Sequence, residues 1–279
     1  MPSRDTPEIL PLVDILDLHP LVPLAWRAAG VAGRFLRDER PTRLTVDTKS
    51  TPSDSVTVMD RTAEALILAD ILRARPDDGL LGEEGGERRG TSGVRWIVDP
   101  LDGTVNYLYD IPMWGVSIAA EVDGTVDVGV VLTPEFDEGY IGIRGRGSWR
   151  ISRGAAHPLR ASSCADLASA LVTTGFGYAA QMRGQQAAVL TDLIPQIRDV
   201  RRTGGAVVDF CWLARGRLDG YYEKGLNAWD YSAGALIARE AGAVVTGLFD
   251  DDLSDVIVAS APGIADALRA TLVGLKADL

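Results

Sequence analysis

Cysteine and histidine are scarce in this chain, with two of each among 279 residues. Cys164 and Cys211 form no C-x-x-C pair and are too few for a disulfide framework. His19 and His157 flank prolines in unpatterned sequence, so neither is expected to be a metal ligand. Lysine is nearly absent as well. Lys49, Lys224 and Lys276 stand among 28 basic residues, a bias we assign to a GC-rich genome rather than to function. Long apolar runs are missing too. The stretch from Leu21 to Leu36 is interrupted by Pro23, Arg27 and Arg34, which excludes a membrane span there. The opening residues MPSRDTPEIL hold acids where a secretory signal would need an apolar core. These absences lead us to expect a soluble, cytoplasmic protein with no membrane partner.

What the chain does contain is an ordinary globular composition, 46% hydrophobic and 24% charged. That excludes a disordered tail, a collagenous fibre and a coiled coil. The length suits two domains at about 150 residues each. Thirty glycines and 14 prolines are spread along it, indicating many turns and a mixed α/β protein with short connections. The 28 basic and 39 acidic residues give a net charge of −11. Such a chain repels nucleic acid and attracts cations, so no nucleic-acid partner is expected. A phosphorylated substrate is compatible with it only if a metal ion reverses the local sign.

Residues 21–37 carry apolar side chains at helical spacing, and residues 42–57 read as an exposed loop or irregular hairpin. From Asp60 a second helix places Ala63, Leu66, Ile67 and Ile71 on one face. GLLGEE reads as a short strand entering an acidic turn, and VRWIV as a buried strand ending at Asp99. Between 113 and 151, β-rich runs separated by Asp-Gly and Pro signals predict an antiparallel meander. After about residue 155 strands alternate with helices at 180–194, 205–215, 228–241 and from 262 onward. The expectation is an α/β protein of two parts. Residues 1–155 form an α+β domain with an antiparallel sheet, and 156–279 an α/β domain.

The strongest local signal is Asp99-Pro100-Leu101-Asp102-Gly103-Thr104, directly after a strand. Two carboxylates three apart converge only if the chain turns sharply. Pro100 fixes one φ and Gly103 frees another. A helical turn beginning at Asp102 would aim the free N–H groups of Gly103 and Thr104 at one spot. Carboxylates for a hard cation beside N–H groups for an oxyanion describe a metal-phosphate site, although Asp-Gly-Thr is also a common capped turn. Phosphatases with an aspartyl nucleophile place their two acids two apart. The spacing of three here favours a metal-bound water as nucleophile. A second acid pair lies in Gly82-Glu83-Glu84-Gly85-Gly86, and Asp230 opens a predicted helix, where N-capping would also explain it.

In order and spacing these segments resemble the inositol monophosphatase family of metal-dependent, lithium-sensitive phosphatases. The likeness runs from Lys49-Ser50 through DSVTVMD, GEEGG, WIVDPLDGTVNY and GYYEKGLNAWD to the last helix. TGFGY, DVRR and GRLDGYYE place it nearest the bacterial inositol-1-monophosphatase (SuhB-type) branch. The resemblance implies a layered αβαβα sugar-phosphatase fold and a homodimer. It assigns Glu83, Asp99, the Leu101 carbonyl, Asp102 and Asp230 to Mg²⁺. Thr104 and Asp60, with Glu83, would orient the attacking water, and the N–H groups of Gly103 and Thr104 would bind phosphate. Glu223 would meet a substrate hydroxyl, with Gly205 and Ala206 lining the same pocket and Asn106 supporting the metal loop.

Three positions depart from the family pattern. Tyr107 replaces a phenylalanine, Gly205 a serine or threonine, and Ala243 a glycine. Arg198, Arg201 and Arg202 read as a salt-bridged strand edge. The implied reaction is Mg²⁺-dependent hydrolysis of a small phosphorylated polyol, first of all myo-inositol monophosphate. Histidinol phosphate, fructose 1,6-bisphosphate, 3′-phosphoadenosine 5′-phosphate and NADP are alternatives. Glu223 favours a polyol or the ammonium of histidinol, and no aromatic shelf for an adenine is evident in the sequence. From another class, the chain could be a non-catalytic regulatory protein on a phosphatase fold.

Overall fold

In the strand Val94–Asp102, Trp96 and Val98 enter one apolar cluster while Ile97 enters another. The same alternation separates Ile118 and Ala120 from Ala119, Val130 from Val131, and Ile141 from Tyr140. Successive side chains of a strand point to opposite faces, so this sheet is covered on both. Helices Val22–Asp38 and Val58–Ala74 close one face through Ala25, Ala28, Ala32, Ala63, Ile67 and Ile71. Helices Ala206–Ala214 and Ala228–Glu240 close the other and reach Tyr221, Ile257 and Ala259 of a second sheet. That sheet's outer face packs on helices Ala180–Leu193 and Ala265–Gly274 through Val189, Leu193, Leu268 and Leu272. The layers are therefore αβαβα, as the resemblance implied. The structure is a computed structural model and describes residues 8–41, 46–48 and 55–278.

The first sheet has nine strands, and those between Val94 and Pro158 follow one another antiparallel as the predicted meander. Gly79–Gly82 adds a parallel strand beside Val94–Asp102, which sets Glu83 next to the end of that strand. In the five-stranded sheet Asp199–Arg201, Leu171–Thr174 and Gly220–Lys224 run parallel, and Val256–Ser260 is antiparallel to both its neighbours. Strands of residues 10–158 thus belong to one sheet and those of 171–260 to the other, apart from the hairpin of Val46–Thr48 and Ser55–Thr57. The helix carrying Asp230 comes late in the chain yet packs on the first sheet, so the site is shared between the two parts. Among the described residues no helix is long and apolar enough to cross a membrane.

Two boundaries differ from the sequence reading. The strand expected to end at Asp99 continues to Asp102, because Asp102 resumes pairing with Gly115 after a register shift. Pro100, which has no N–H to give, lies inside that shift. The helical turn starts at Thr104 rather than Asp102, with Gly103 as its cap at φ 87°. A side chain is strained at that φ, and a Cβ there would lie 2.8 Å from the Met113 carbonyl oxygen.

Candidate active site

The strand end and its turn place five side chains. The Leu101 N–H donates to Asp99 Oδ1 at 2.9 Å, which folds the chain back over a buried carboxylate. Asp102 Oδ2 accepts the Val207 N–H at 3.0 Å and so anchors the start of helix Ala206–Ala214. The Thr104 hydroxyl lies 3.0 Å from Asp60 Oδ1 and 3.1 Å from the Leu101 carbonyl; its single proton serves one of them at a time. Asn106 donates to the Met113 and Thr203 carbonyls at 2.6 and 2.9 Å, tying the loop to the next strand and to the glycine turn at 204–205. The Tyr107 hydroxyl, the family departure, is buried and donates to the Leu36 carbonyl at 2.7 Å.

Asp230 arrives from the far end of the chain. It does take part in capping: its Oδ2 accepts the Asn227 N–H at 2.6 Å in a capping box. Ser117 donates to the Trp229 carbonyl at 3.3 Å, holding that helix start against the strand opposite Asp99. Ligand oxygens of Asp99, Asp102 and Asp230 all lie within 4.8 Å of one another. Glu83 joins them through a hydrogen bond to the Asp99 carboxyl. Its turn is propped by Glu64, which accepts the Glu84 N–H at 2.8 Å. A Cβ on Gly82 would lie 2.7 Å from the Glu64 carboxylate.

Like charges brought this close resist ionisation. Burial first, then the charges of Glu83, Asp102 and Asp230, push Asp99 well above the ordinary carboxylate range. Burial and Asp230 do the same to Asp102 against the opposing Val207 N–H. Desolvation pushes Asp230 up to about 7. A like pair at about 4 Å costs about 4 kcal/mol at an effective dielectric of 20. A divalent cation removes that cost, and an all-oxygen donor set suits a hard one such as Mg²⁺. A divalent cation at about a hundredfold over its Kd should therefore stabilise the fold by about 2.7 kcal/mol. For a chain of this size that raises Tm by roughly 5–10 °C. A melting curve that stays flat up to millimolar Mg²⁺ would count against a metal-binding cluster.

Glu83, Asp102 and Asp230 line a cavity of about 500 Å³, together with Glu223, Gly205, Ala206 and Asp209. Glu223 accepts the Tyr221 hydroxyl at 2.8 Å, and desolvation raises its pKa. Gly205 caps helix Ala206–Ala214, where a Cβ would lie 2.9 Å from Asp102 Oδ2. Every site residue named from the sequence is thus brought to one place; Lys49, expected to be an ordinary solvated lysine, lies outside the described residues. Three features went unrecognised. Glu64 and Asp209 have no place in the sequence reading, and the cavity lining includes two aromatic residues, Phe176 and Tyr178, with Met182. Arg202 is also misplaced by the strand-edge reading. Arg201 does pair with Asp199 at 2.6 Å, but Arg202 lies beyond the strand and lines the cavity.

The sequence pattern of the inositol monophosphatase family matches residues 17–276. Inositol-1-monophosphatase SuhB of Mycobacterium tuberculosis is 44% identical over 236 residues, 81% of each chain. Nus factor SuhB of Escherichia coli is 36% identical over 261 residues, 91% of this chain and 96% of that one. Among solved structures, the extragenic suppressor protein suhB from Bartonella henselae superposes with a TM-score of 0.85 at 35% identity. It covers 94% of this chain and 100% of the other.

Proposed function

The chain belongs to the inositol monophosphatase family and is a phosphatase, and we propose that it hydrolyses a polyol monophosphate, first of all myo-inositol monophosphate, with Mg²⁺. The observation that carries this reading is the convergence of Asp99, Asp102 and Asp230 beside the Thr104–Asp60 pair at one end of the cavity. Glu83, the three aspartates and the Leu101 carbonyl would hold the Mg²⁺. Bound there, Mg²⁺ would supply positive charge to the phosphate oxygens and the leaving alkoxide, and would lower the pKa of the attacking water. Thr104, held by Asp60, and Glu83 orient that water in line with phosphorus. The N–H groups of Gly103 and Thr104 hold phosphate oxygens, and Glu223 takes a hydroxyl of the leaving group above Gly205 and Ala206. Charge and positioning carry the transition state, and no covalent intermediate is required. A homodimer, lithium sensitivity and a cytoplasmic location follow from the same family reading.

Two alternatives have specific support. Phe176, Tyr178 and Met182 in the cavity lining would offer aromatic and apolar surface to a planar base, which favours 3′-phosphoadenosine 5′-phosphate or NADP over histidinol phosphate and fructose 1,6-bisphosphate. The E. coli relative's name favours a regulatory role. Phosphate release from inositol 1-phosphate, histidinol phosphate, fructose 1,6-bisphosphate, 3′-phosphoadenosine 5′-phosphate and NADP, with and without Mg²⁺, separates all of these. The expected result is the highest kcat/KM for inositol 1-phosphate and loss of activity with chelator. Another leading substrate would move the assignment within the same chemistry. No turnover at saturating Mg²⁺ would favour the regulatory reading.

A further inference from the structure

Besides the acid cluster, the cavity is lined by Glu223, Asp209 and two cationic residues, Arg202 and Lys224. Lys224 is turned away: its Nζ bonds the Asp278 carbonyl and lies 3.8 Å from Asp255. Arg202 is not committed elsewhere. It is exposed at the rim, and among the described residues its guanidinium makes no ion pair or hydrogen bond. It lies along the backbone of Gly204, where a Cβ would collide with its Nη1. From there its charge reaches both Glu223 and Asp209 and favours their ionised forms. Asp209 lines the same cavity from helix Ala206–Ala214, 1% exposed, with Oδ1 lacking a hydrogen-bond partner among the described residues.

We propose that Arg202 determines leaving-group specificity: with Glu223, and with Asp209 as a positioning residue beneath them, it forms a wall that accepts uncharged polyols and turns away leaving groups bearing an ammonium. This rests on the phosphatase reading above. A hydroxyl both donates and accepts, so it is matched by a guanidinium donor beside a carboxylate acceptor. An ammonium only donates, and Arg202 repels it. Desolvation, followed by the influence of Glu223, pushes Asp209 up to about 8, against the Thr203 and Thr173 hydroxyls and Arg202. Near neutral pH the wall therefore carries at most the one negative charge of Glu223 against the positive charge of Arg202. Without Arg202 the same wall would be an acidic pocket suited to a cation.

The test is Arg202→Gln assayed with inositol 1-phosphate, histidinol phosphate and p-nitrophenyl phosphate at saturating Mg²⁺. The wild-type chain should prefer inositol 1-phosphate. In the variant that preference should fall at least about fivefold, through KM values that move in opposite directions while kcat stays within about twofold. Activity on p-nitrophenyl phosphate, which carries neither hydroxyls nor ammonium, should change less than activity on either of the other two substrates. Asp209→Ala should weaken the preference likewise, and Asp209→Asn, which keeps the shape, should restore it. A smaller change in preference, both KM values rising together, or a wild-type preference for histidinol phosphate would overturn the proposal while leaving the phosphatase reading intact. Failure of the wild-type chain to release phosphate from any of the three would instead remove the reading on which the proposal rests.

Discussion

Asp102→Asn is expected to lower kcat by about a thousandfold or more, roughly 4 kcal/mol of transition-state stabilisation, with the fold retained. Asp102 has two duties. Its Oδ2 accepts the Val207 N–H at 3.0 Å, which an asparagine oxygen can do equally well, so helix Ala206–Ala214 keeps its anchor. Its charge, together with Asp99 and Asp230, forms the cluster proposed to hold Mg²⁺. The substitution removes that charge and the repulsion with it. Without Mg²⁺ the variant should therefore melt higher than the wild-type chain, and the increase in Tm on adding Mg²⁺ should shrink. Activity and apoprotein stability would move in opposite directions, as expected where a site stores electrostatic strain. Phosphate release and melting curves with and without metal measure both. Near-normal turnover at saturating Mg²⁺ would take Asp102 out of the metal set. A lower apoprotein Tm would show that repulsion at Asp102 does not destabilise the metal-free fold.

The metal loop was legible because its chemistry is local. Six consecutive residues contain the two acids, the proline, the glycine and the threonine, and backbone geometry alone brings them together. Asp230 was legible only through family resemblance, since nothing near it in sequence says that its helix packs on the first sheet. Glu64 could have been found. It stands one helical turn after Asp60, so both acids fall on the face that buries Ala63 and Ile67, and a buried acid needs a partner. Asp209 carried a similar signal as the one acid in the apolar run AVVDFCWLA. The place of Phe176, Tyr178 and Arg202 in the cavity was not readable. Phe176 and Tyr178 follow one strand, Arg202 follows another, and only the parallel pairing of Leu171–Thr174 with Asp199–Arg201 and Gly220–Lys224 brings all three into the cavity that Glu223 lines.

Gly129→Val is expected to be strongly destabilising and to impair metal binding at a distance. Gly129 and Gly142 face each other on neighbouring strands, directly under helix Ala228–Glu240. A Cβ at Gly129 would lie 2.7 Å from the Ala233 carbonyl oxygen, and one at Gly142 2.9 Å from Ile237 Cα. These are backbone atoms of a packed helix and cannot swing aside as a side chain would. Overpacking of this kind costs about 3 kcal/mol, which lowers Tm by roughly 6–12 °C in a chain of this size. Because the obstructed helix also carries Asp230, one turn before Ala233, lifting it off the sheet withdraws that carboxylate from Asp99 and Asp102. The Mg²⁺ concentration for half-maximal activity should then rise by about tenfold, equivalent to ~1.4 kcal/mol. Gly124→Ala is the control: it strains a hairpin turn at φ 82° with nothing within 4 Å of the new Cβ. It should lower Tm somewhat and leave the Mg²⁺ dependence unchanged. If Gly129→Val lost stability without any change in Mg²⁺ dependence, the seating of this helix would not be what sets the position of Asp230.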